Sequence, residues 1–212
     1  ASDGLGLLIG GGGDCADIPA LLHLLAARSD AALLPITVAA DHRELSAHAD
    51  EITARAGFLG LRLQLAFCDH VEDELDALTA AAAAVTSSVL MLTTARHLPD
   101  LVAARDATSR LAAGGPGALL VTSATPPDID PSHLALVAGR TDFLAAGGFS
   151  ARRLTVSGKW ATVATRLASA LGDAPARLAI ATSTYDPPTP AEQLLLRVDR
   201  LAARAEAGAA DA

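Results

Sequence analysis

Gly10, Gly11, Gly12 and Gly13 form an unbroken run, followed at once by Asp14. The run lies between the apolar stretch Leu5-Gly6-Leu7-Leu8-Ile9 and the segment Asp17-Ile18-Pro19. Glycines between a strand and a helix let a ligand reach the backbone, where free amides suit an anion. A tight turn with positive φ explains some glycines, but four in a row exceed what a turn requires. Gly10, Gly11, Gly12, Gly13 and Asp14 are therefore candidate ligand-binding residues. A Gly11→Val replacement is expected to weaken ligand binding at modest cost in stability, because a branched side chain blocks close approach. No nucleotide motif accompanies the run. The dinucleotide fingerprint read from Gly10 needs glycine where Cys15 stands, and read from Gly4 it needs glycine where Ile9 stands. The Gly158-Lys159 pair lacks both a glycine-rich lead and a following Ser or Thr.

Three histidines each follow an apolar stretch: Asp41-His42-Arg43, Cys68-Asp69-His70 and Arg96-His97. In an open parallel sheet the carboxyl ends of the strands form the ligand-binding edge, so these histidines are expected to face it. Neutral imidazole ligates metals and accepts protons near neutral pH. His97, His42 and His70 are the candidate metal ligands, and His97 and His42 the candidate catalytic residues. The competing reading is that surface loops carry histidine beside Asp or Arg for solubility. His48 can join His42 only if the intervening helix begins late. His23, set among leucines, reads as a partly buried structural histidine, and His133 has no evident partner. The acidic run Glu72, Asp73, Glu74 and Asp76 is either a solvated helix start or a cation-attracting rim beside His70. Lys159, the single lysine, reads as a solvated turn residue with an anion contact as the alternative. Cys15 and Cys68 make neither a disulfide framework nor a Cys-x-x-Cys zinc pair. No Gly-x-Ser-x-Gly elbow is present, which argues against that type of serine hydrolase.

Short apolar runs alternate with amphipathic ones. Strands are expected at Leu5–Ile9, Ala32–Val38, Leu61–Phe67, Val89–Leu92, Ala118–Thr122, Arg153–Val156 and Leu178–Ala181. Helices are expected at Ile18–Arg28, Leu45–Ala56, Val71–Val85, Leu98–Ala112, Ser132–Ala138, Trp160–Leu171 and Ala191–Ala207. Pro35 weakens the second strand internally, and Gly57 is placed to close the helix before it. The alternation predicts βαβ units in an α/β three-layer sandwich with a mainly parallel sheet, Rossmann-like or chelatase-like. Nearly continuous apolar strands agree, since a parallel sheet is covered on both faces. The proline-rich loop Thr125–Pro131 marks a seam between residues 1–124 and residues 125–212, two α/β halves of one or two domains.

The chain has 212 residues, 51% of them hydrophobic and 19% charged, with a formal charge of −8. That apolar fraction excludes a disordered chain. The acidity removes the electrostatic footprint of a nucleic-acid binder and the basic face of a peripheral membrane protein. Apolar runs are too short for a membrane span, and no basic region followed by an apolar core marks a signal peptide. A cytoplasmic protein with a small-molecule ligand is expected, with no nucleic acid and no membrane as partners. Close-packing alanines at Ala80–Ala84 give a homo-oligomer a plausible interface.

The segment from Ile36 to Ala104 resembles the sirohydrochlorin-type (class II) tetrapyrrole metal chelatases. Leu63-Gln64-Leu65-Ala66-Phe67 and its acidic sequel are similar to that family's second strand and helix. Val89-Leu90-Met91-Leu92 followed by Arg96-His97-Leu98-Pro99 resembles its segment in which a histidine precedes a helix start. The family's first-strand His-Gly-Ser motif is missing; glycines stand there instead, and His42 is the nearest substitute. The resemblance implies a lyase that inserts a divalent metal (cobalt, iron or nickel) into a modified tetrapyrrole, with His97 handling the metal and accepting pyrrole protons. The alternative is an α/β domain that binds a small anionic ligand at Gly10–Gly13 without chelatase activity.

Overall fold

A computed structural model of the chain describes residues 4–28, 31–95, 97–98, 100–115, 117–121, 134–149, 159–160, 163, 167 and 178–182. Seven strands form one sheet in the order β3-β2-β1-β4-β6-β5-β7. They are β1 (Leu5–Gly10), β2 (Pro35–Asp41), β3 (Arg62–Cys68), β4 (Val89–Thr94), β5 (Gly117–Val121), β6 (Leu134–Gly139) and β7 (Leu178–Thr182). All neighbours run parallel except β6, which is antiparallel to both β4 and β5. The expected mainly parallel α/β sandwich is what the chain forms. One sheet takes strands from both sides of the Thr125–Pro131 segment, which itself lies outside the described residues, as do Arg153–Val156, Ala191–Ala207 and His133. Among the described residues no helix is long and apolar enough to cross a membrane.

The strand sequences explain their places. Every residue of β1 is buried, in keeping with a central strand covered on both faces. Leu5, Leu7 and Ile9 face one layer, built by α1 (Ile18–Arg28), α2 (His42–Phe58) and α4 (Leu101–Ala112). Leu8 faces the other, built by α3 (Glu74–Ala84), α5 (Arg140–Ala145) and the helical residues Trp160, Val163 and Leu167. Strand β3 lies at the sheet edge and exposes Arg62, Gln64 and Phe67. Pro35 opens β2, a position where its missing amide is tolerated.

Several boundaries differ from expectation for local reasons. Helix α2 starts at His42, because Asp41 caps it by accepting from the Arg43 amide at 2.9 Å. It closes at Gly60 rather than Gly57: Gly60 has φ +68°, and the Leu61 amide donates to the Ala56 carbonyl at 2.9 Å. Helix α3 starts at Glu74, with Asp73 as its cap, and α4 at Leu101, with Asp100 as its cap. The expected helix at Ser132–Ala138 is replaced over its described part by β6. Leu134-Ala135-Leu136-Val137-Ala138 is a continuous apolar run, and pairing with β4 and β5 decides its conformation. His23 is exposed, on the α1 stripe it shares with Ala27, while Leu21, Leu22, Leu24 and Leu25 take the core.

Candidate functional site

Strands β1, β2 and β3 end at one edge of the sheet, and two adjoining depressions open there. One, about 240 Å³, is lined by Gly12, Gly13, Ala40, Asp41, Glu44 and the segment Val71 to Glu74. The other, about 360 Å³, adds Cys15, Arg43, Ala47 and His48 to the shared Gly12, Gly13 and Glu44. Of the glycine run, only Gly12 and Gly13 line the two depressions, and its members are not equivalent. A Cβ on Gly10 would lie 2.7 Å from the Glu74 carbonyl oxygen, and one on Gly11 would lie 2.6 Å from Cys15 Sγ. Gly12 combines φ +48° with Glu74 Oε2 only 3.0 Å from where its Cβ would be. These three glycines let β1 and the following 3-10 turn (Gly12–Asp17) pack against α3 and β2. Gly13 alone faces open space, with nothing within 4 Å of a Cβ there. The backbone accessible to a ligand is therefore at Gly12 and Gly13, which line both depressions.

The acidic run divides into two pairs. Asp73 Oδ1 accepts from the amides of Leu75 and Asp76 at 2.9 and 3.0 Å, and its Oδ2 lies 2.8 Å from Lys159 Nζ. Asp76 Oδ1 also lies 2.8 Å from Lys159 Nζ, and its Oδ2 accepts from the Glu72 amide at 3.2 Å. Asp73 and Asp76 are thus fully used within the protein. The side chains of Glu72 and Glu74 line the first depression, and their carboxylates, like that of Glu44, make no hydrogen bond or ion pair with a described residue. Lys159, expected in a solvated turn, is instead 4% exposed and helical. Burial alone would lower its pKa, but hydrogen bonds and charge from Asp73 and Asp76 outweigh that and raise it.

The three candidate histidines follow three different strands at this edge. His42 is the first residue of α2, exposed, with its ring 5.3 Å from that of Phe67. His70 is exposed and holds the left-handed backbone, φ +58°. His97 is 4% exposed, and its amide donates to the Thr94 carbonyl at 3.1 Å beyond β4. Among the described residues, no three of His, Cys, Asp and Glu stand close enough to hold a metal ion. Arg96 lies outside the described residues. The lining residues Arg43, Glu44 and His48 are not marked as a group by the sequence alone. Their signal is the i, i+1 and i+5 placement after a capped strand end, which is readable only once α2 is known to begin at His42.

No family model and no curated protein matches the chain. Among solved structures, the 4-diphosphocytidyl-2C-methyl-D-erythritol synthase of Anaerococcus prevotii DSM 20548 resembles it with a TM-score of 0.58. The match covers 92% of this chain and 96% of that one at 8% sequence identity, a likeness of fold.

Both thiols, Cys15 at the cleft and Cys68 at the end of β3, are held protonated. Burial, then the charges of Glu44 and Asp14, push Cys15 up to about 12. Burial, then Asp69 and Asp41, raise Cys68. A thiol with a raised folded pKa contributes stability that is complete below about pH 8.5 and is lost as pH rises toward the folded value. Iodoacetamide at pH 8 is expected to leave both thiols of the native protein unlabelled over an hour and to label both in denaturant, read by mass spectrometry. Rapid native labelling of Cys15 would contradict its burial.

Proposed function

We propose that the protein binds a phosphate-bearing small molecule together with a divalent cation, in the cleft lined by Gly12 and Gly13. The observation that carries this reading is the placement of the unpartnered Glu72 and Glu74 carboxylates beside the open glycine backbone. An anion alone would meet like charge there; at about 4 Å two unit charges repel by about 4 kcal/mol at a surface-like dielectric. A divalent cation reverses the sign of that interaction. Magnesium keeps several waters and takes one or two carboxylates plus the phosphates of its partner, so no prebuilt three-ligand group is needed. The fold likeness to a synthase whose name contains a diphosphocytidyl group suggests CTP as the first probe. In calorimetric titration CTP is expected to bind with Mg²⁺ and to lose about tenfold or more in affinity in Glu74→Gln, the size of one lost charged contact. Equal binding with and without Mg²⁺, or no binding of CTP or diphosphate, would overturn the reading.

A second reading, metal insertion into a tetrapyrrole, draws on the same acidic mouth, which attracts cations, and on buried His97 beyond β4, the neighbour of β1. Co²⁺ titration of wild type against His97→Ala separates it from the first. Equal affinity removes His97 from the site, and failure to insert Co²⁺ into sirohydrochlorin ends this reading.

A further inference from the structure

Lys159 is the only lysine in the chain and is buried against two carboxylates from a segment more than 80 residues earlier. Its Nζ lies 2.8 Å from both Asp73 Oδ2 and Asp76 Oδ1. Those carboxylates are the ones that shape the rim of the cleft: Asp73 caps α3, and Asp76 holds the Glu72 amide. We propose that Lys159 is the positioning residue of the cleft, withdrawing Asp73 and Asp76 from ligand binding and fixing the rim so that Glu72 and Glu74 face the ligand. This rests on the cleft being the binding site proposed above. Its neighbour Trp160 packs edge-on against Phe149, ring centroids 4.7 Å apart, and the Phe149 amide donates to Thr79 Oγ1 of α3 at 2.9 Å. The ammonium is therefore delivered by a segment docked on the same helix whose first turn it neutralises.

Two opposite effects follow from removing it. Lys159→Met leaves Asp73 and Asp76 without their cation, so the mouth becomes more negative and two more carboxylates can reach a metal. Mn²⁺ alone is expected to bind several-fold more tightly, while CTP with Mg²⁺ binds several-fold more weakly because its own charge is repelled. Adding Asp76→Asn to Lys159→Met removes the surplus charge and is expected to return both affinities toward wild type. A variant that merely folds poorly weakens both ligands together. Hydrogen exchange supplies a readout that needs no ligand: the Leu75 and Asp76 amides, which Asp73 caps, are expected to exchange at least tenfold faster in Lys159→Met, with the β1 amides unchanged. Parallel weakening of Mn²⁺ and CTP, or no change in either, overturns the proposal. If wild type binds neither probe, the binding reading fails on its own and the exchange comparison alone decides for or against Lys159; unchanged exchange at Leu75 and Asp76 overturns it.

Discussion

Gly11→Val is expected to cost about 3 kcal/mol of stability, the upper end for overpacking a close-packed interior. Gly11 is buried, and even the first carbon of a side chain would lie 2.6 Å from Cys15 Sγ and 3.1 Å from Ala40 Cβ. Valine adds two more carbons to that crowd. The structure thus corrects the expectation that this replacement would be a mild probe of ligand binding. A binding defect in Gly11→Val would therefore not separate ligand contact from the strain of overpacking. Gly13→Ala is the appropriate probe, since it has open space and an ordinary φ; its stability is expected to stay within about 0.5 kcal/mol of wild type. Urea midpoints of the two variants check both statements, and a Gly11→Val midpoint equal to that of wild type would refute the packing argument.

Phe149→Ala is expected to cost about 3–5 kcal/mol, the usual range for emptying a buried phenylalanine site. Phe149 is fully buried between Phe143 and Trp160, with ring centroids 5.3 and 4.7 Å away in edge-on geometry. Such pairs add to plain burial. The loss should appear as a lower urea midpoint followed by the fluorescence of Trp160, the only tryptophan. A loss below about 1 kcal/mol would mean that this aromatic cluster does not hold Lys159 and Trp160 against α3.

The strands that build the centre of the sheet were legible because their chemistry is uniform. Leu5–Ile9 and Val89–Leu92 are continuous apolar runs, and a strand buried on both faces has no other signature. Helix starts were misplaced where an aspartate could serve either as cap or as first-turn charge. At Asp73 and Asp100 only the backbone geometry distinguishes the two, while Asp41 caps a helix that begins three residues before the apolar Leu45. Strand β6 is not legible locally, because five apolar residues fit a helix or a strand equally well and the pairing that decides it is with distant strands. The glycine run was legible as a special place but its cause was not. Gly10 and Gly12 are small chiefly because Glu74 packs over them, and Glu74 belongs to a helix far along the chain. Lys159 is the extreme case: nothing within a local window shows that its partner Asp76 lies 83 residues away.

The reversed strand β6 has a consequence for how the molecule is made. Until residue 139 has left the ribosome, β4 has β1 on one side and no described strand on the other, since among the described residues its second neighbour is β6. The bare side presents Val89, Leu90, Met91 and Leu92, an apolar template of the kind that recruits strands from other chains. β5 cannot shield it, because β5 joins the sheet only through β6. The nascent chain therefore passes through a window, between the emergence of β4 and that of β6, when two growing copies can zip together edge to edge. Synthesis that pauses in that window should favour aggregates, and a chain cut within it should carry the sticky margin permanently.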